Sequence, residues 1–174
     1  KYKGVKGTTS LQDILNDDTV SGVFVAAHPH SHFHIATEVI KAGKSLFIEK
    51  PPCENERELK SLIDAIMLYG SQHIVVGLQR HFAPATQILQ KRLKGDGKRH
   101  YHYRYLTGLY PEGDALLDLF IHPLDYVTFL FGEAKIKSLD VIRSRDGAQT
   151  LFLVLEHQDI TGMLELSTDY SWQE

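Results

Sequence analysis

Short apolar runs alternate with stretches of helical periodicity through the first half of the chain. Residues 22–27 form a continuous apolar run, the pattern of a parallel strand covered on both faces. Ahead of it, Thr9-Ser10 before Leu11-Gln12-Asp13-Ile14-Leu15 predicts a short capped helix ended by Asn16-Asp17-Asp18. A second helix is expected over 31–42, with Ser31 as its cap, Ile35, Val39 and Ile40 on its apolar side, and Gly43 as its stop. Leu46 to Ile48 is a strand. The helix over 55–69 places Leu59, Leu62, Ile63 and Ile66 on one face, and residues 73–77 read as another buried strand. Strand-helix-strand-helix-strand implies right-handed parallel crossovers, half of a doubly wound sheet.

After Gly77 the pattern changes. Arg80-His81-Phe82-Ala83-Pro84-Ala85 precedes a helix ending near Leu93, and Gly95-Asp96-Gly97 is a strong turn. Residues 99–106 alternate, with Arg99, Tyr101, Tyr103 and Tyr105 on one side and His100, His102 and Arg104 on the other. A helix over 114–131, stopped by Gly132, can bury Leu116, Leu119, Leu124, Val127 and Phe131. Three β-like runs (135–143, 150–157 and 161–168), separated by Arg145-Asp146-Gly147 and His157-Gln158-Asp159, suit an antiparallel meander.

Composition narrows the class. The 174 residues suffice for a sizeable core, and a net charge of −3 argues against nucleic acid as the main partner. Cys53 is the only cysteine, so no internal disulfide forms and a reducing, cytoplasmic compartment is expected. No apolar run approaches bilayer-spanning length, no membrane partner is expected, and Lys1-Tyr2-Lys3-Gly4 is not a signal peptide.

Two stretches carry candidate chemistry. Glu49-Lys50-Pro51 closes the strand at Ile48 and fixes an ammonium at its C-terminal edge, where open α/β sheets bind ligands. A solvated loop is the plain alternative. Asp118-Leu-Phe-Ile-His122-Pro-Leu-Asp125 places Asp118 and His122 four apart, on one helical face, with Asp125 bordering it. A carboxylate beside an imidazole orients the ring and sets its tautomer, as a proton shuttle requires. An exposed i,i+4 pair is the alternative there. Pro123 removes a backbone donor, so the helix bends or starts near it. His28, His30, His32 and His34 would share a face of a strand, but Pro29 breaks a strand and Ser31 can cap a helix, so we expect a loop and cap with no metal. The basic residues Lys91, Arg92, Lys94, Lys98 and Arg99 around the Gly95-Asp96-Gly97 turn read as a solvated tip.

The order Val23-Phe24-Val25-Ala26-Ala27-His28-Pro29, His32, Ile35-Ala36, Ala42-Gly43-Lys44 and Glu49-Lys50-Pro51 closely resembles the Gfo/Idh/MocA family of NAD(P)-dependent oxidoreductases. Asp118, His122 and Asp125 match the family's Gly-Gly-x-x-x-Asp-x-Gly-x-His-x-x-Asp pattern. The chain departs from that pattern at Asp114, where the second glycine would stand, and at Phe120, whose bulk is expected to narrow or reshape the pocket. By resemblance, Lys50, Asp118 and His122 form the catalytic set. His28, Pro29, His32, Glu49, Lys50, Pro51 and Arg80 lie on the cofactor side, and Lys50, Asp118, His122, Asp125 and Arg104 on the substrate side. The Lys-Pro bond is often cis in this family. The implied reaction is hydride transfer between NAD or NADP and a secondary alcohol or ketone, often a sugar or cyclitol, in a dimer or tetramer. No Gly-x-Gly-x-x-Gly turn stands in the sequence. We therefore expect a fragment: the C-terminal half of a Rossmann-type parallel sheet (1–80), then part of an α+β substrate and oligomerisation domain with a largely antiparallel sheet (81–174). Both ends look cut, and the fragment alone should bind dinucleotide poorly. A non-catalytic ligand sensor on the same fold is the competing function, and the presence of Lys50, Asp118 and His122 together favours the enzyme.

Overall fold

The structure, a computed structural model, describes residues 4–70, 73–93 and 100–170. The chain divides into two units, Lys1–Gly77 and Leu78–Glu174, so the division falls three residues before the position expected from sequence and Arg80 belongs to the second unit.

In the first unit, α1 (Leu11–Leu15) starts at Ser10, whose side chain accepts a hydrogen bond from the Asp13 amide. Then come β1 (Gly22–Val25), α2 (Pro29–Lys41), β2 (Ser45–Ile48), α3 (Glu56–Tyr69) and β3 (Ile74–Val76). The strands pair in parallel in the order β1-β2-β3, with Val25 beside Ile48 and Ile48 beside Val76. α2 begins two residues earlier than expected. His28 is its N-cap and Pro29 its first helical residue, because a proline at that position lacks only an amide that the helix start leaves unbonded. Asn55 caps α3 by accepting from the Glu58 amide, and Gly70 ends it in the left-handed conformation at φ +65°.

The core of this unit gathers Val25, Ala36, Val39, Ile40, Leu46, Ile48 and Leu62. Two expectations are corrected here. α3 buries a narrower stripe, since Leu59 and Ile63 are exposed and only Leu62 is fully buried. Among the described residues the sheet is also covered on one face only. Phe24 is 82% exposed, Val75 is exposed, and Phe24 stacks on Phe47 at 5.2 Å. An unbroken apolar run marks a strand able to be covered twice, and does not itself supply the second layer.

The second unit opens with a 3-10 turn (Gln79–Phe82) and α4 (Pro84–Leu93). The Gly95-Asp96-Gly97 turn, with Lys94, Lys98 and Arg99, lies outside the described residues. β4 (His100–Leu106) leads through a loop to a π-helical segment (Leu116–Phe120), which runs directly into α5 (Ile121–Phe131). β5 (Lys135–Arg143), β6 (Gln149–Glu156) and β7 (Thr161–Ser167) form the meander. The sheet order is β4-β7-β6-β5. The meander is antiparallel, and β4 joins β7 in parallel.

One face of this sheet carries Tyr101, Tyr103, Tyr105, Leu151, Leu153, Leu155, Leu164 and Leu166 against Phe120 and Val127. His102, Arg104, Met163 and Phe152 alternate onto the other. Among the described residues no helix is long and apolar enough to cross a membrane.

Candidate active site

In the first unit the polar candidates collect where the parallel strands end. Glu49 continues β2, its amide donating to the Val25 carbonyl at 2.9 Å, and the Gly77 amide donates to the Ile48 carbonyl at 2.8 Å. The Glu49 carboxylate lies over Gly77: a Cβ there would stand 3.0 Å from Oε2, so glycine leaves the room that the carboxylate occupies. Lys50 follows, half-buried, and the Lys50-Pro51 peptide is cis.

His32 ties this turn to α2. It is 1% exposed, with Nδ1 2.7 Å from the Pro51 carbonyl oxygen and Nε2 2.9 Å from that of Ala27. Both partners only accept, so each bond needs a proton on its own ring nitrogen. His32 thus faces inward, onto the backbone that carries Lys50 and Pro51. His28 is exposed and stacks on His30 at 4.9 Å, and the His30 ring pairs with Glu54. Burial pushes the Cys53 thiol upward, which keeps this buried cysteine protonated and inert. Among the described residues no three His, Cys, Asp or Glu side chains converge to hold a metal. For a dinucleotide, the half-buried Glu49 and Lys50 beside the exposed His28 offer polar groups at the right edge of the sheet, so the residues present fit part of such a ligand.

In the second unit Asp114 caps the π segment. Its Oδ1 accepts from the Leu116 amide at 2.8 Å and the Leu117 amide at 3.3 Å. Asp114 thus satisfies two amides that a helix start leaves unbonded. The Ile121 amide donates to the Leu116 carbonyl, an i→i+5 bond that widens the turn. Ala115, Phe120, Pro123 and Val127 consequently face the core. Phe120 is fully buried, edge-on to Tyr105 at 6.5 Å between centroids. This corrects the expectation that its bulk shapes the pocket. Leu116, expected inside, is 45% exposed.

Asp118 sits within the π segment and His122 just after it, both half-buried. The Tyr110 hydroxyl donates to Asp118 Oδ2 at 3.3 Å. Burial, then the Asp118 charge and this bond, raise the Tyr110 pKa and keep the phenol a donor. Asp125 pairs with His81 at 2.6 Å from Nε2, and the His81 ring lies flat on Phe129 at 3.9 Å. Arg80 stands 5.2 Å over the Tyr105 ring and donates to the Tyr103 hydroxyl at 3.4 Å. Arg104 lies on the sheet face opposite Tyr103 and Tyr105. There it pairs with Glu165 at 2.6 Å and donates to the Tyr170 hydroxyl at 3.1 Å. The structure therefore gathers Asp118, His122 and Asp125 on one helix and leaves Arg104 on the other side of the sheet. Tyr110 and His81 were not singled out from sequence, because both act through partners more than a few residues away.

The chain thus joins a parallel α/β unit with a polar carboxyl edge to an α+β unit that carries an acid and an imidazole on one helix, the order of a nucleotide-binding fold followed by a second α+β unit. The model of an oxidoreductase family with an NAD-binding Rossmann fold matches residues 1–91, and the chain belongs to that Gfo/Idh/MocA family. An inositol 2-dehydrogenase/D-chiro-inositol 3-dehydrogenase of Lactiplantibacillus plantarum is 28% identical over 134 residues, covering 71% of this chain and 38% of the relative. An inositol 2-dehydrogenase of Acidothermus cellulolyticus is 25% identical, covering 99% of this chain and 54% of the relative. The chain therefore spans about half the length of such relatives, or less. GenD2 from gentamicin A biosynthesis, solved in complex with NAD, superposes with a TM-score of 0.80 at 24% identity, covering 98% of this chain and 54% of that one. An NAD-binding protein from Listeria innocua gives 0.77 at 23%, covering 97% and 55%. At these identities the structural likeness shows the fold.

Proposed function

We propose that the full-length protein transfers a hydride between NAD or NADP and a secondary alcohol or its ketone, with a sugar, cyclitol or related polyol as substrate. The observation that carries this reading is the half-buried Asp118 and His122 in and beside a π segment, a distortion that often marks a functional site. The inositol dehydrogenases among the relatives support the substrate class. The dinucleotide, when bound, supplies the hydride acceptor. His122 takes the proton of the substrate hydroxyl, and Asp118 orients the ring or binds a neighbouring hydroxyl. The Lys50 ammonium stabilises alkoxide character on the reacting oxygen, which in a dry site is worth a few kcal/mol, on the order of 3.

Asp125 is the further substrate contact in this reading, held in place by His81. Arg104 we leave out of direct contact, since Glu165 already matches its charge on the other sheet face. As partners we propose a small-molecule substrate and further copies of the chain, with no nucleic acid or membrane. We place the protein in the cytoplasm, where its single buried thiol stays reduced.

The test is a titration of NADH and NADPH into the full-length protein, read by nicotinamide fluorescence, followed by Lys50→Met. We expect micromolar binding of one dinucleotide. In the variant, turnover on polyols should fall by about a hundredfold or more at nearly unchanged dinucleotide affinity. A folded protein that binds neither dinucleotide would instead be a ligand sensor on this fold, and full activity in the variant would remove Lys50 from the catalytic set.

A further inference from the structure

Resting on that reading, we propose that Tyr110 is a positioning residue of the acid/base site, fixing one oxygen of the Asp118 carboxylate through its phenol hydroxyl. Two observations converge on that oxygen, and a third fixes the segment that carries it. Tyr110 donates to Oδ2 at 3.3 Å from a loop eight residues upstream. The backbone at Gly113 passes against the same atom so closely that a Cβ there would overlap Oδ2, and it would also stand 3.2 Å from the Tyr110 ring and 3.3 Å from its hydroxyl. Asp114 then fixes the start of the π segment by capping the Leu116 and Leu117 amides. Tyr110 and Gly113 therefore hold one carboxylate oxygen between them, with glycine required where the chain crosses it.

The chemistry follows from what each group can donate or accept. Ionised Asp118 is acceptor-only, and Tyr110 supplies one donor. The charged groups that act on Tyr110 are Asp118 and Glu112, both of which hold the phenol protonated. With Oδ2 held by Tyr110, the plane of the carboxylate is set, and with it the direction in which Oδ1 points. A carboxylate fixed at one oxygen has one orientation to offer, which is what positioning a general base or a hydroxyl demands. Phenylalanine keeps the ring and removes only the donor.

The experiment uses the full-length protein labelled with [13Cζ]tyrosine. The Tyr110 resonance, identified by its loss in Y110F, should titrate above free tyrosine, and D118N should move that titration down. Y110F should lower kcat about tenfold, the size expected for one hydrogen bond to a charged group, with KM and dinucleotide affinity nearly unchanged. A Tyr110 resonance that titrates like free tyrosine and ignores D118N would overturn the contact. An unchanged kcat in Y110F would overturn the positioning role. Should the folded full-length protein bind neither NADH nor NADPH, the hydride-transfer reading is what falls, and the tyrosine titration still decides whether Tyr110 holds Asp118.

Discussion

At the scale of a residue, Tyr101 shows how a phenol is made part of a core. Its ring stacks on Phe131 at 4.2 Å and 9°, and it lies so tightly on Gly162 that any Cβ there would overlap it. The polar end is satisfied by His157, which is 3% exposed. The Gly132 carbonyl, 2.8 Å from Nδ1, can only accept, so Nδ1 carries the proton and Nε2 accepts from the Tyr101 hydroxyl at 2.8 Å. Burial pushes the Tyr101 pKa up to about 12 from an ordinary 10.0. Between those values the unfolded chain binds fewer protons at this site than the folded one, so stability falls as pH rises through the window and is complete below it. Urea midpoints measured from pH 8 to 11.5 should show this decline, and Y101F should flatten it. An equal decline in Y101F would assign the effect to other groups.

At the scale of an element, the π segment decides both what was legible and what was not. The strand and helix order of both units can be read from periodicity, and the Glu49-Lys50-Pro51 and Asp118-to-Asp125 motifs from their spacing. The inward set over 115–127 could not be, because an α-helical period misplaces Leu116 and Phe120 once the turn widens to i→i+5. Pro123, the one local signal of distortion, follows the π segment and lies inside the first turn of α5, where a missing amide is tolerated. Tyr110 and His81 stayed hidden for a different reason. A contact from a loop to a π segment 8 residues on, or from a 3-10 turn to α5, leaves no period in the sequence. The cap, by contrast, is local and testable. Asp114→Ala strips the partner from two amides and should destabilise the protein by about 1 kcal/mol, while Asp114→Gly should cost only a few tenths. Urea unfolding with an unchanged m-value checks both, and equal losses in the two variants would deny Asp114 a capping role.

At the scale of the whole molecule, the described residues form two hydrophobic cores that share no residue among them, one built around Val39, Leu46 and Ile48 and one around Phe120, Val127, Leu164 and Leu166. The first is local in sequence, made of parallel crossovers completed within Lys1–Gly77. The second closes a longer loop, because β4 pairs with β7 only after the π segment, α5 and the β5-β6 hairpin have formed. Such non-local pairing makes the second unit the slower to assemble. We expect the same division to separate their stabilities. Leu46→Ala and Leu164→Ala each remove a buried leucine, at 3% and 0% exposure, and should each cost about 2–5 kcal/mol. In the full-length protein, native-state hydrogen exchange should show Leu46→Ala lowering protection in β1, β2 and β3 while β6 and β7 keep theirs, and Leu164→Ala doing the reverse. A loss of protection spread evenly over both sheets in either variant would mean that the two cores unfold as one.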